Sequence, residues 1–289
     1  MNVSVQEPSS AIQPHGLTKA EQCFAALAMM ISGVILLGMA LLGPLWNGPL
    51  HYATSPSGMA QLLGQDVANL FIGPLLVWGG IQLLQKKERG QILMGMAPLY
   101  LLYYGLSVGI GMEWGRYEGN SHHAFPALLF LIISGVLLIP ATLTEFRSHK
   151  LRPFHRRFLW IYGSILSLFL LLFSLMWLGE VFEVLRTGSS RGYAESPVVF
   201  WVIRYFDLGI TIPLAFFSFY VLATRPGQGL GLQLLCYGFF LGMALSVNAM
   251  GFSMLWNQDG DFQWGGQIIF IILALIVFSG YGALRRGMK

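Results

Sequence analysis

Two ionisable residues, Arg204 and Asp207, stand inside a long apolar run of the sequence. A charged side chain at the centre of a membrane helix costs about 2.5–3.5 kcal/mol on insertion scales, so it usually faces a partner or a wet cavity. Because the two residues are three positions apart, they share one helix face and are expected to pair with each other. They are therefore candidates for contacting a substrate, and the alternative is that they only neutralise one another.

A second acid, Asp66, lies in the sequence GQDVAN, where the second apolar run begins. Helix capping would explain an acid at that place, because the free amide groups of a helix start attract negative charge. Pro74 follows this acid as Pro213 follows Asp207. Proline bends a membrane helix and frees carbonyl groups that line a polar cavity. We therefore predict an outward-facing polar cavity between the second and sixth helices. The alternative is that both prolines have only a structural role in helix packing.

The candidate substrate-binding residues are polar side chains in or beside these helices. They are Asp66, Asn69, Tyr103, Arg204, Asp207 and Asn248.

Other chemistries find little support in the sequence. The loop GRYEGNSHH contains the residue types of a metal site, but adjacent histidines on a regular element point apart and no second ligand cluster has a diagnostic spacing. The apolar runs contain no histidine for haem and no lysine for a Schiff base. No GxSxG, HExxH, Walker or CxxC motif is present. We predict no catalytic residue, no metal and no cofactor, and the sequence favours a protein that is not an enzyme.

The composition is that of a membrane protein. Hydrophobic residues make up 55% of the 289 positions and charged residues only 10%, which is too few charges to cover a soluble surface. The net charge of +4 comes from basic residues in short loops. No basic domain results, so we expect a lipid bilayer as partner and no nucleic acid.

Eight apolar runs are long enough to cross about 30 Å of hydrocarbon as helices. They lie near 22–45, 66–85, 91–113, 124–145, 158–178, 198–224, 230–255 and 265–285. Long continuous runs exclude the short alternating strands of a β-barrel. The predicted fold is an all-α polytopic bundle of about eight transmembrane helices. If the first run were instead a cleaved signal peptide, seven spans would remain.

The basic residues predict the orientation of the bundle. Thirteen of the 17 lie at the termini or in the connections after the second, fourth and sixth runs. Since basic loops stay in the cytoplasm, both termini are expected to be cytoplasmic in a multi-pass protein of the cell inner membrane.

The chain also resembles itself after about 140 residues. Pro74 and Pro213 are each followed by a basic residue twelve positions later, and an acid precedes each proline. Four helices per unit would give a parallel 4+4 repeat, unless these recurrences only reflect topology. The predicted units are a cytoplasmic tail at 1–20, the first repeat at 21–145, a basic linker at 146–157 and the second repeat at 158–286.

Three segments resemble an uncharacterised family of multi-pass bacterial membrane proteins. These are GQD followed by a proline, PLYLLYYG in the third run and FDLGITIPL in the sixth. The resemblance implies a bacterial membrane protein and no particular activity.

Two functional hypotheses remain. The first is a transporter of a small solute or ion. The second is a membrane sensor, assembly factor or accessory subunit with a one-sided pocket for a ligand or partner. Either hypothesis allows a homo-oligomer or a membrane partner.

Small residues spaced by four favour close packing of the third and seventh helices. They are Gly105 with Gly109 and Gly238 with Gly242.

Overall fold

Eight long helices account for most of the described chain. The computed structural model describes residues 16–147, 149, 151–260 and 262–288, and 1–15 of the predicted tail and two positions of the linker lie outside them. The helices are α1 (Lys19–Leu42), α2 (Pro56–Leu84), α3 (Glu88–Ile110), α4 (Phe125–Glu145), α5 (Arg156–Thr187), α6 (Pro197–Thr224), α7 (Leu230–Trp256) and α8 (Trp264–Gly287). A short helix, Arg191–Glu195, precedes α6.

The prediction of an all-helical bundle with eight spans is confirmed. The eight helices are long and apolar enough to cross a membrane, and the described residues form no β-strand. Large apolar side chains cover the outside of the bundle, as lipid contact requires. One end of the bundle carries the connections 85–87, 146–155 and 225–229, and we call it the basic end. The opposite end carries the connections 43–55, 111–124, 188–196 and 257–263.

Two helices begin or end far from their predicted positions. Helix α2 begins at Pro56 and not near residue 66, and its cap is Ser55, whose hydroxyl accepts from the Gly58 amide at 3.0 Å. The interpretation of Asp66 as a helix cap is therefore wrong, because Asp66 lies almost three turns inside the helix. Helix α5 continues to Thr187, which places Glu180 within it and not after it.

Helix α6 is irregular just before Pro213, where the sequence predicted a bend. Residues Asp207–Thr211 form a π-helical turn, and a regular α-helix resumes at Ile212. Pro213 has no amide hydrogen, and its ring crowds the carbonyl group four residues earlier, so a wider turn at this point relieves the clash. Helix α2 differs, because it passes through Pro74 as one continuous α-helix.

Glycines bring the central helices into close contact. A Cβ atom on Gly64 of α2 would overlap the backbone of α7 at Ala249, and one on Gly238 of α7 would overlap the backbone of α3 at Met96. Such small-residue contacts let membrane helices pack without a hydrophobic driving force. The prediction that Gly238 and its neighbour four residues on serve an α3–α7 contact is confirmed. The prediction for Gly105 is wrong, since it packs against Ile132 of α4.

The bundle has a tight core and a loose periphery. Helices α1, α2, α3, α4 and α7 contribute most of the largest buried cluster and the regions packed against it. Helix α5 is exposed along almost all of its length and contacts mainly α6 and α8. The region around α2, α3 and α7 is therefore the more enclosed place for a buried site.

Candidate functional site

Asp66 is buried at the centre of this core with only one of its carboxylate oxygens bonded. The residue is 1% exposed, and its Oδ1 accepts a hydrogen bond from the Tyr52 hydroxyl at 3.1 Å. Tyr52 lies on the 43–55 connection, and burial raises its pKa well above the usual value, so the phenol keeps the proton that it donates. The second oxygen, Oδ2, has no hydrogen-bond partner.

A network of uncharged polar side chains adjoins Asp66, and we call it the polar network. It consists of Gln65, Asn69, Tyr100 and Ser246, which come from α2, α3 and α7. The Tyr100 hydroxyl donates to Asn69 Oδ1 at 3.0 Å and accepts from Gln65 Nε2 at 2.8 Å. Ser246 Oγ lies 3.3 Å from the same hydroxyl. The network ties three helices together at a depth where lipid offers no hydrogen bonds.

Three buried polar atoms beside the network have no hydrogen-bond partner. They are Asp66 Oδ2, Asn69 Nδ2 and the hydroxyl oxygen of Tyr104. The Tyr104 hydroxyl lies close to Tyr52, Asp66 and Asn69. Buried polar groups in folded proteins almost always have partners, so a group of three unpaired ones marks a place where something polar binds. We call Tyr52, Asp66, Asn69 and Tyr104 together the Asp66 pocket.

Asp207 occupies a second buried site, between α3, α5 and α6. It is 7% exposed and accepts hydrogen bonds from Trp177 Nε1 at 3.0 Å and from the Tyr103 hydroxyl at 3.3 Å. Both oxygens of this carboxylate therefore have a donor. The structure brings Tyr103 and Asp207 into direct contact, although the sequence contained no sign of Trp177.

Arg204 pairs with Glu180 of α5 and not with Asp207, so the predicted pair of Arg204 and Asp207 is wrong. Its guanidinium group also lies over two rings, 4.2 Å from the centre of Trp177 and 3.9 Å from that of Phe200. Side chains on a helix lean toward its N-terminus. Arg204 therefore reaches back toward Phe200 and the opposite end of the bundle, away from the acid three residues later.

Asn248 lies apart from both acids and joins α7 to α8. Its amide group donates to the carbonyl oxygen of Phe270 at 3.1 Å, and its Oδ1 accepts from Gln267 at 2.9 Å. It also borders an open cleft of about 650 Å³ between α2 and α7 near the opposite end of the bundle. The cleft is lined mostly by apolar side chains such as Leu63 and Phe252.

At the opposite end of the bundle, Glu113 and Ser55 contact the start of α6. Glu113 is 2% exposed, and its Oε1 accepts from the amides of Val198 at 2.7 Å and Val199 at 3.2 Å. The hydroxyl groups of Ser55 and Ser196 lie 3.3 Å apart. A carboxylate at a helix N-terminus satisfies free amides and meets the positive end of the helix dipole. We call these contacts the latch.

The six predicted residues thus fall into three groups. Asp66 and Asn69 are together, Tyr103, Arg204 and Asp207 are together, and Asn248 is separate. Sequence reasoning missed Tyr52, Gln65, Tyr100, Tyr104, Trp177 and Glu180. The tyrosine-rich stretch PLYLLYYG was the available sign of Tyr100 and Tyr104, because tyrosines buried in a membrane helix need polar partners. Within the described residues, no three His, Cys, Asp or Glu side chains are grouped so as to hold a metal ion.

Comparisons with known proteins do not identify the chain. No family model matches it. Searches against curated proteins and against solved structures also give no match. The function must therefore be argued from the buried polar groups themselves.

Replacing Tyr100 by phenylalanine should destabilise the bundle. The change removes the hydroxyl that bonds Gln65 and Asn69. A lost buried hydrogen bond costs about 1–2 kcal/mol, so we expect the apparent unfolding temperature in detergent to fall by several degrees. The matched control is Tyr205→Phe, because Tyr205 is 71% exposed on the lipid side. Equal unfolding temperatures for the two variants would show that the polar network does not hold the helices together.

Proposed function

We propose that the protein transports a small solute or ion across the membrane, with the Asp66 pocket as part of its path. The observation that carries this proposal is the buried carboxylate with a free oxygen about 15 Å along α2 from its start. An ionisable residue inside a membrane segment is a functional candidate by default, because burying its charge is costly. Asp207, Arg204, Tyr103 and Asn248 are the further residues of the proposed path.

The two halves of the chain correspond in a way that supports transport by two repeats. Each acid follows a Ser-Pro helix start by the same distance, Asp66 ten residues after Pro56 and Asp207 ten residues after Pro197. The two serines, Ser55 and Ser196, touch each other. Contact between corresponding residues is expected where a two-fold axis passes. A parallel 4+4 repeat, with units 21–145 and 158–286, is therefore part of the proposal.

The orientation is part of the same proposal. Among the described residues, eleven of the basic ones lie at the basic end of the bundle, which favours placing both termini in the cytoplasm of a cell with an inner membrane. The latch then lies at the external face, where it holds the start of α6 against the end of α3.

The cleft between α2 and α7 favours a second candidate function. It is open, mostly apolar and located near the external end in the proposed orientation. A sensor, assembly factor or accessory subunit would use such a one-sided pocket for a ligand or for a partner helix without moving anything across. In this alternative, the buried acids hold the scaffold together.

Cysteine accessibility separates the two functions. In a background without Cys23 and Cys236, we would introduce Ile72→Cys, Thr211→Cys and Ala215→Cys in turn. A membrane-impermeant thiol reagent is then added from each side separately. Transport predicts labelling of Thr211→Cys and Ala215→Cys from both sides, because alternating access wets both ends of the path.

Lipid-facing positions provide the matched control. Phe71 and Phe217 are 65% and 54% exposed in the bundle but face hydrocarbon. A thiol does not ionise there, so Phe71→Cys and Phe217→Cys should not react with the reagent. Labelling that comes only from the external side and stops near Asp207 would exclude transport and favour the one-sided pocket.

A further inference from the structure

The Asp66 pocket combines several polar groups that come from different elements. Asp66 and Asn69 lie on α2, Tyr104 on α3 and Tyr52 on the 43–55 connection. Three of their polar atoms have no hydrogen-bond partner, and all four residues are more than nine-tenths buried. The fold has therefore removed these three atoms from water without giving them hydrogen-bond partners.

Gly43 lies beside the free carboxylate oxygen, at a position where a side chain would not fit. A Cβ atom on Gly43 would lie 2.7 Å from the Met39 carbonyl oxygen, 2.8 Å from Asp66 Oδ2 and 3.5 Å from the Tyr52 hydroxyl. Any larger residue would press on the oxygen that lacks a partner. The space next to Asp66 Oδ2 is thus lined by oxygen atoms, which are the ligands of hard cations.

The charge of the pocket selects the kind of ligand. The described ion pairs join Arg204 to Glu180 and Arg285 to Glu88, and neither includes Asp66. A buried carboxylate without a positive partner is costly unless its charge is neutralised. One negative charge is neutralised by one monovalent cation, whereas a divalent ion would leave a positive charge in the core.

We propose that the Asp66 pocket binds one monovalent cation, a sodium ion or a proton, at Asp66 Oδ2. The hydroxyl oxygens of Tyr52 and Tyr104 complete the site. If the protein is a transporter, this cation is its coupling ion, and in that respect the inference rests on the proposed function. Binding of the cation can be measured without any knowledge of the transported solute.

Asp207 provides the internal comparison. It is also a buried acid, but Trp177 and Tyr103 bond both of its oxygens, and Arg204 lies nearby. The same argument from unpaired atoms does not apply to it. The two acids are therefore expected to respond differently to cations.

The test measures thermal unfolding of the purified full chain in detergent. Sodium chloride is titrated against choline chloride at constant ionic strength and at pH 8.5. A bound ligand stabilises the folded state by mass action, so sodium at about 100 times its dissociation constant should raise the unfolding temperature by roughly 5–10 °C. A second series varies pH from 5.5 to 8.5 in choline chloride alone.

Three variants assign the effect to the pocket. Asp66→Asn keeps the shape and removes the charge, so it should lose the cation-dependent shift. Tyr104→Phe removes a hydroxyl that has no hydrogen-bond partner, so it should fold normally and bind the cation several-fold more weakly. Asp207→Asn should unfold at a lower temperature and retain the full shift.

Binding of sodium and binding of a proton give different results in these two series. A sodium-specific shift that disappears in Asp66→Asn identifies sodium. Stabilisation that increases as pH falls, independent of sodium and absent in Asp66→Asn, identifies a proton. The other titratable groups that face Asp66 are the phenols of Tyr52, Tyr100 and Tyr104, which as free side chains titrate near pH 10, outside this range.

The cation site is overturned if neither series shows a shift, or if Asp66→Asn keeps the wild-type shift. This outcome is separate from a failure of the transport proposal. Cation binding together with one-sided cysteine labelling would retain the site and reject transport. Two-sided labelling without a cation shift would retain transport and reject the site.

Discussion

Replacing Gly238 by leucine is expected to abolish folding of the bundle. The new side chain would occupy space held by the backbone of Met96 in α3, and backbone cannot move aside as a flexible side chain does. Separating α3 from α7 would also pull Ser246 away from Tyr100 in the polar network. We expect a loss of about 3 kcal/mol or more, visible as aggregation in detergent size-exclusion chromatography.

The control for this change is Gly282→Leu. Gly282 lies on α8, is exposed, and a Cβ atom there would meet nothing within 4 Å. This variant should elute and unfold like the wild type. If both leucine variants behave alike, the close contact between α3 and α7 does not govern folding.

Replacing Glu113 by alanine should have the second largest effect. The change removes the acceptor of two amides at the start of α6 and a negative charge at the positive end of the helix dipole. We expect a loss of about 2–3 kcal/mol in stability, measured by thermal unfolding. The start of α6 should also become accessible, which limited proteolysis of the 188–196 connection would detect.

Two further variants define the role of this carboxylate. Glu118 lies in the same connection and is exposed, so Glu118→Ala should leave stability and proteolysis unchanged. Glu113→Gln keeps an acceptor oxygen without the charge and should fall between the wild type and Glu113→Ala. Identical behaviour of Glu113→Ala and Glu118→Ala would contradict the latch.

The number and order of the helices could be predicted from the sequence, but two of the ends could not. The first turns of α2 include Ser57 and Gln65, which lower the local hydropathy and suggested a loop. Both residues are buried in the bundle. A polar residue that is paired with another helix looks like a loop residue until that partner is known, and the partner of Gln65 on α3, Tyr100, is 35 residues away.

The candidate site was predicted only in part for the same reason. Asp66 and Asn69 could be grouped because they share one helix. Tyr52 donates to Asp66 from a connection whose path depends on how the helices pack. The partner of Arg204 was misassigned because local spacing favoured Asp207, whereas the actual partner Glu180 belongs to another helix. Contacts between elements are determined by packing, and a single sequence does not specify packing.

The position of α7 has a consequence for how the protein is made. Helix α2 packs against α7, and Ser246 completes the polar network begun by Gln65 and Tyr100. During synthesis, α5 and α6 leave the ribosome before α7 does. Helices α5 and α6, which contribute little to the core, are therefore inserted before α7. During that time the polar side chains of the first four helices are in the bilayer without the shielding that α7 provides. A chain stopped before residue 230 would hold a half-finished core, and quality-control proteases that recognise polar groups in lipid would have that interval in which to act.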